Sequence, residues 1–111
     1  MKKGLTNLCY GFFSTLANPT RLAIIERLDE QPMSVNKLAA SLGQEQSMVS
    51  HNLRPLLRCN LVHVRREGKH RIYRLNKETL TPILETIKTH AETYCKNTDC
   101  PFKNRSENLG G

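Results

Sequence analysis

Between residues 34 and 74 the sequence reads as two short helices joined at a glycine, followed by a β-hairpin whose tip is crowded with arginine and lysine. Ser34 is placed to cap the first of these helices, whose apolar residues are Leu38, Ala39 and Leu42. Gly43 can take the left-handed conformation that stops it. The next helix follows almost at once, with Val49, Leu53, Leu56 and Leu57 on its inner face. Pro55 sits inside it. The missing N–H leaves the carbonyl of His51 without a helical partner, so a bend or an early end is expected there. Residues 61–65 and 71–75 then read as two strands around Glu67-Gly68. Val62 and Val64 share one face of the first strand, and Tyr73 and Leu75 one face of the second. This is the order of a helix-turn-helix followed by a wing, and a chain of 111 residues leaves little room for a second purpose.

The flanks read as helices. Leu5, Leu8, Cys9, Phe12, Phe13 and Leu16 recur at helical spacing and make one broad apolar face. Asn18-Pro19 ends that helix and starts another, with Asn18 as cap and Pro19 at the first helical position. Leu22, Ile25 and Leu28 form its stripe, and Gln31-Pro32 closes it. After the hairpin, Leu80, Leu84, Ile87, Ala91 and Tyr94 continue one stripe of a last helix. Two starts are open for it, Asn76 or Thr81-Pro82. The expected fold is mainly α with a β-hairpin, a winged helix-turn-helix in the order α-α-α-α-β-β-α. Residues 1–95 make the winged-helix domain, and residues 96–111 a flexible, cysteine-containing tail.

Lysine and arginine number 17 against 10 acids, a net charge of +7. That excess favours a polyanionic partner, either nucleic acid or an anionic membrane surface. A membrane-surface role needs a basic amphipathic helix, whereas here the charge sits on a hairpin. No apolar run approaches the roughly 18–20 residues that span a bilayer. No apolar core follows Met1-Lys2-Lys3, so no signal peptide is read and a cytoplasmic location is expected. In a reducing compartment the four cysteines are thiols, metal ligands or redox sensors rather than a disulfide framework. The chain has no Ser/His/Asp grouping, no paired acid and no phosphate-cradling glycine loop, so an enzyme is not expected.

The helix containing Pro55 exposes Gln44, Gln46, Ser47, Ser50, His51 and Arg54 at its start. Glutamine can pair with adenine, arginine with guanine, and serine with bases or phosphates. An ordinary solvated helix face would also be polar. The hairpin shifts the balance, because Arg65, Arg66, Lys69, Arg71 and Arg74 cluster with His70 around one turn. Such a wing can follow the phosphate backbone or enter the minor groove. Edge protection against aggregation accounts for one or two lysines, but not for a nearly unbroken basic tip. Arg54 and the helix-start residues are expected to read bases, and Arg65, Arg66, Lys69 and Arg71 chiefly to bind phosphate.

These residues resemble a family. Phe13-Ser14-Thr15-Leu16-Ala17-Asn18-Pro19-Thr20-Arg21-Leu22 is similar to the "ALADPTRLRIL" of the ArsR/SmtB winged-helix repressors. Val49-Ser50-His51-Asn52-Leu53 with Leu61-Val62 resembles their "SHHL…L…GLV". Arg66-Glu67-Gly68-Lys69 and Tyr73-Arg74-Leu75 resemble "REGR…YRL", and the likeness runs over residues 12–91. It implies a homodimer joined through the first and last helices, binding double-stranded DNA at an inverted repeat and leaving it when an inducer binds.

The family's inducer sites are where this chain departs from the pattern. A Cys-x-Cys pair for soft metals would fall in Leu42-Gly43-Gln44-Glu45-Gln46-Ser47-Met48, which has no cysteine. Of the Asp-x-His and His-x-x-His pairs of the other metal site, the matching positions are Lys77, Thr79, His90 and Thr93, so only His90 remains. Cys9, Cys95 and Cys100 could form a three-thiolate site, since the family packs the first helix against the last; His90 and Asp99 are spare ligands. Such a site suits As(III), Zn(II), Cd(II) or Cu(I), and reversible disulfide formation is equally open. Against this, Cys9 lies on an apolar stripe, where cysteine is often a small core residue, and Cys59 follows Leu56-Leu57 and reads as packing. The alternative is a ligand-independent winged-helix DNA-binding protein without an inducer site.

Overall fold

The architecture follows from how each helix is started and stopped. A computed structural model describes residues 4–95. Helix α1 (Leu5–Leu16) gives way at Asn18, whose backbone is extended and whose Oδ1 accepts the Arg21 N–H at 3.0 Å. Proline at the first position of α2 (Pro19–Glu30) forfeits only an N–H that has no helical partner anyway. Ser34 starts α3 (Val35–Leu42) in the same way, its Oγ accepting the Lys37 N–H at 3.2 Å. At Gly43 φ is +64°, and the next N–H, of Gln44, reaches back to the Ala39 carbonyl at 3.0 Å. This left-handed closure turns the chain straight into α4 (Gln46–Arg58). Strands β1 (Val62–Glu67) and β2 (His70–Leu75) and helix α5 (Lys77–Tyr94) complete the expected order.

Pro55 does not end α4. The helix runs on to Arg58, and the Cys59 N–H bonds the Pro55 carbonyl at 3.1 Å. Proline removes one donor, but its own carbonyl continues the ladder below it. The true stop is Asn60, at φ +58°, with the Leu61 N–H bonded to the Leu56 carbonyl at 2.9 Å. This repeats the closure at Gly43 with asparagine, the side chain that best tolerates that conformation after glycine.

The hairpin is antiparallel, and its register sorts the wing into two faces. Val62 faces Leu75, Val64 faces Tyr73 and Arg66 faces Arg71; on the other face His63 meets Arg74, Arg65 meets Ile72 and Glu67 meets His70. Burial ends early along the first face. Val62, Tyr73 and Leu75 are buried, but Val64, on the other strand opposite Tyr73, is 43% exposed. Tyr73 also exchanges backbone hydrogen bonds of 2.8 and 3.0 Å with Met33, pinning the residue before Ser34 to the base of the wing.

Ile24, Ile25, Leu28, Leu38, Val49, Leu53, Leu56 and Leu61 form the centre of the core. The stripe expected on α2 is corrected at one position, since Ile24 is buried while Leu22 is 45% exposed. On α1 only Leu16 is buried, and Leu5, Leu8 and Phe13 of the same apolar face are open. Helix α5 begins directly after Asn76 and carries Pro82 inside it, so the Thr81-Pro82 start is not used. Along its stripe Leu80 is buried, whereas Ile87 and Tyr94 are exposed. No helix among the described residues is long and apolar enough to cross a membrane.

Candidate nucleic-acid interface

Helix α4 separates its residues by face. Val49, Asn52, Leu53 and Leu56 are buried, while Ser47, Ser50, His51 and Arg54, spaced as one exposed helical stripe, lie in solvent. Gln44 and Gln46 are exposed at its entrance. The six residues expected from sequence to face DNA are thus all accessible. Met48, which no pattern in the sequence singles out, is also half exposed, and its thioether side chain is of the kind that can meet a thymine methyl.

Asn52 fixes how that stripe is aimed. It is the buried polar residue of the described chain, at 5% exposure. Its Nδ2 donates to the Met48 carbonyl at 3.0 Å, and its Oδ1 accepts from Arg21 Nε at 3.2 Å. Arg21 Nη1 in turn donates to the Thr15 carbonyl at 3.2 Å. One guanidinium therefore ties the end of α1 and the start of α2 to the middle of α4. Neither residue was assigned a role from sequence. A signal was present at position 52, where a polar side chain stands three residues after Val49 and four before Leu56, on the buried stripe.

The wing presents Arg65, Arg66, Lys69 and Arg71, all exposed and, among the described residues, without an acidic partner. Arg74 differs from the rest of the cluster, because its Nη2 donates to Glu67 Oε2 at 3.2 Å on the outer face of the hairpin. Its charge is already partly compensated. Beneath the inner face a cleft of about 290 Å³ opens between the hairpin, the start of α3 and Ser50 of α4.

A basic hairpin beside a helix with an exposed polar stripe matches proteins already described. The sequence model of "Bacterial regulatory protein, arsR family" fits residues 18–64. Nodulation protein NolR of Rhizobium meliloti is 35% identical over 89 residues, covering 80% of this chain and 70% of NolR. The chain belongs to the ArsR family. The regulator NmtR of Mycobacterium tuberculosis is 39% identical over 77 residues, spanning 69% of this chain and 64% of NmtR. The transcriptional repressor SmtB homolog of Synechocystis is 36% identical over 81 residues, spanning 73% of this chain and 61% of that protein. The match thus covers under two thirds of the length of the last two relatives. Among solved structures, a homodimeric winged helix-turn-helix DNA-binding domain from Mycobacterium bovis superposes with a TM-score of 0.75 at 27% identity, covering 83% of this chain and 85% of that one. By name NmtR is a transcriptional regulator and the SmtB homolog a transcriptional repressor.

Three thiols of this ArsR-family chain lie among the described residues. Cys9 is half-buried on α1 and Cys95 half-buried after α5. Cys59, at the C-terminal cap of α4, is exposed rather than packed; its Sγ lies 3.6 Å from Thr15 Oγ1. The His90 ring sits 4.9 Å from that of Tyr94, one turn on along α5. Among the described residues no three histidine, cysteine or acidic side chains come together as metal ligands. Cys100 and Asp99 lie outside the described residues, as does the rest of the expected tail, 96–111.

Proposed function

We propose that this chain is a homodimeric, sequence-specific DNA-binding repressor of transcription, acting in the cytoplasm. The observation that carries the reading is the exposed stripe of Ser47, Ser50, His51 and Arg54 on a helix held from behind by Asn52, next to a hairpin of uncompensated cations. In this reading α4 enters the major groove, with Gln44, Gln46, Ser47, His51 and Arg54 at base edges. Arg65, Arg66, Lys69 and Arg71 neutralise phosphates. A second copy would cover the exposed apolar residues of α1 and α5, among them Leu5, Leu8, Phe13, Ile87 and Tyr94. The homodimeric M. bovis neighbour supports that assembly. Two-fold symmetry then calls for an inverted repeat in the DNA.

Control by a soft metal or metalloid at thiolates belongs to the same proposal. Cys9, Cys95 and Cys100 are donors of the right softness for As(III), Zn(II), Cd(II) or Cu(I).

The test is the salt dependence of binding, measured by fluorescence anisotropy on a duplex selected in vitro by the protein and on a random duplex. The double variant Arg66→Ala, Lys69→Ala should weaken both complexes and flatten the slope of log K against log salt by about 0.9 for each phosphate no longer neutralised. An unchanged slope would remove the wing from the interface. Equal affinity of the wild type for both duplexes would remove sequence-specific recognition.

A further inference from the structure

We propose that the cleft between the wing and the start of α3 is a seat for one DNA backbone phosphate, and that Ser50 serves this phosphate rather than a base. The inference rests on the DNA-binding function proposed for α4 and the wing, and adds Ser34 and Asn36 to it. The cleft is walled by Ser34 and Asn36 at the head of α3, Ser50 on α4, and Lys69, Arg71 and Tyr73 on the hairpin, and no acidic residue lines it.

Three features suit it to a phosphodiester. The first is charge. The register places Arg66 directly opposite Arg71, on the face that carries Val64 and Tyr73. Like charges so opposed repel in the free protein. The acid of the hairpin, Glu67, lies on the other face and is engaged by Arg74, so it cannot compensate them. An anion on the inner face would. The second is donor supply. Ser34 Oγ accepts the Lys37 N–H and keeps its own proton to donate. Ser50 and Asn36 make no side-chain hydrogen bond among the described residues, which leaves a hydroxyl and an amide N–H₂ for phosphate oxygens. The third is preorganisation. The paired Met33–Tyr73 backbone bonds hold the residue preceding Ser34 against the base of the hairpin, so both walls are set before any ligand arrives.

The placement of Ser50 has a consequence for readout. It shares a wall with Lys69 and Arg71, at the wing-side edge of the α4 stripe. Phosphate contacts fix the register of a protein on DNA but carry no sequence information. Ser50 would therefore set where Ser47, His51 and Arg54 fall along the groove.

The experiment compares wild type, Ser50→Ala, Asn36→Ala and Arg71→Ala, each as the full chain. It uses the selected duplex, a random duplex, and a set of selected duplexes in which a neutral methylphosphonate replaces one backbone phosphate at a time. Ser50→Ala should weaken the selected and the random duplex by the same factor, about tenfold or less, leaving their ratio and the salt slope unchanged. Arg71→Ala should also preserve the ratio but lower the slope by about 0.9 per seat. One methylphosphonate position per half-site should weaken wild type, should weaken Ser50→Ala and Asn36→Ala by a smaller factor because the cations of the seat remain, and should affect Arg71→Ala least. A loss of sequence preference in Ser50→Ala would make Ser50 a base reader and overturn the seat. So would coupling of Ser50 and Arg71 to different phosphates, or to none. If wild type itself showed no salt-dependent DNA binding, the proposed DNA-binding function would fail and the seat with it, an outcome distinct from the others.

Discussion

Breaking the bond between Arg21 and Asn52 should loosen the recognition helix by an amount that can be worked out from its geometry. Asn52 Oδ1 is buried and accepts from Arg21 Nε at 3.2 Å. A hydrogen bond to a charged group contributes about 1.5–3 kcal/mol. This one is at the long end of the normal range and its arginine is only half-buried, so the lower figure applies. The second bond, from Nη1 to the Thr15 carbonyl, lies in a partly open corner where water can replace it, adding about 0.5 kcal/mol. Arg21→Ala should therefore cost about 2 kcal/mol per chain. With a urea m-value of about 1–3 kcal/mol/M, the midpoint falls by roughly 1 M. Asn52→Ala loses the same bond and its own donation to Met48, and also leaves space in the core. The double variant isolates the shared term, which should be about 1–1.5 kcal/mol. Urea titrations followed by circular dichroism, at one fixed protein concentration because a dimer's stability depends on it, give all four corners of the cycle. A coupling energy below about 0.5 kcal/mol would mean that the two side chains act independently, and the claim that Arg21 aims α4 would fall. Asn52→Leu offers a second check. It exchanges a buried polar group for an apolar one, so it should restore stability more than DNA affinity.

Three further outcomes follow from single features. Gly43→Ala should cost about 1–2 kcal/mol, because a Cβ at φ +64° is strained even though the space around it is open; thermal unfolding should shift down by several degrees. Leu8→Glu with Phe13→Glu should leave the core intact, since both side chains are exposed, yet shift the protein from dimer to monomer in light scattering; a dimer that persists would place the interface elsewhere. Cys95→Ser with Cys100→Ser should abolish release of DNA by arsenite, cadmium or an oxidant, and release that survives in this variant would take both thiols out of the mechanism.

The order of elements was legible in the sequence because its determinants are local. Asn18-Pro19, Ser34 and Gly43 act on backbone groups within a turn of themselves, and the structure uses each of them as expected. The alternation that marks the hairpin is likewise a property of neighbouring residues, and so is the polar stripe of α4. What only the tertiary structure decided lies between residues far apart in the chain. Arg21 and Asn52 are separated by 31 positions, and no periodicity in either segment announces the other. Whether Leu22 or Ile24 is buried depended on which side of α2 the other helices and the hairpin cover. The basic cluster at 65–74 looked uniform, but the pleat divides it into a face where Arg74 is partly compensated by Glu67 and a face where Arg66 and Arg71 confront each other unpaired. The cleft beside that second face exists because Met33 pairs with Tyr73, forty positions away. Local chemistry chose the helices and strands; long-range packing and pairing chose which of their charges are left for a ligand.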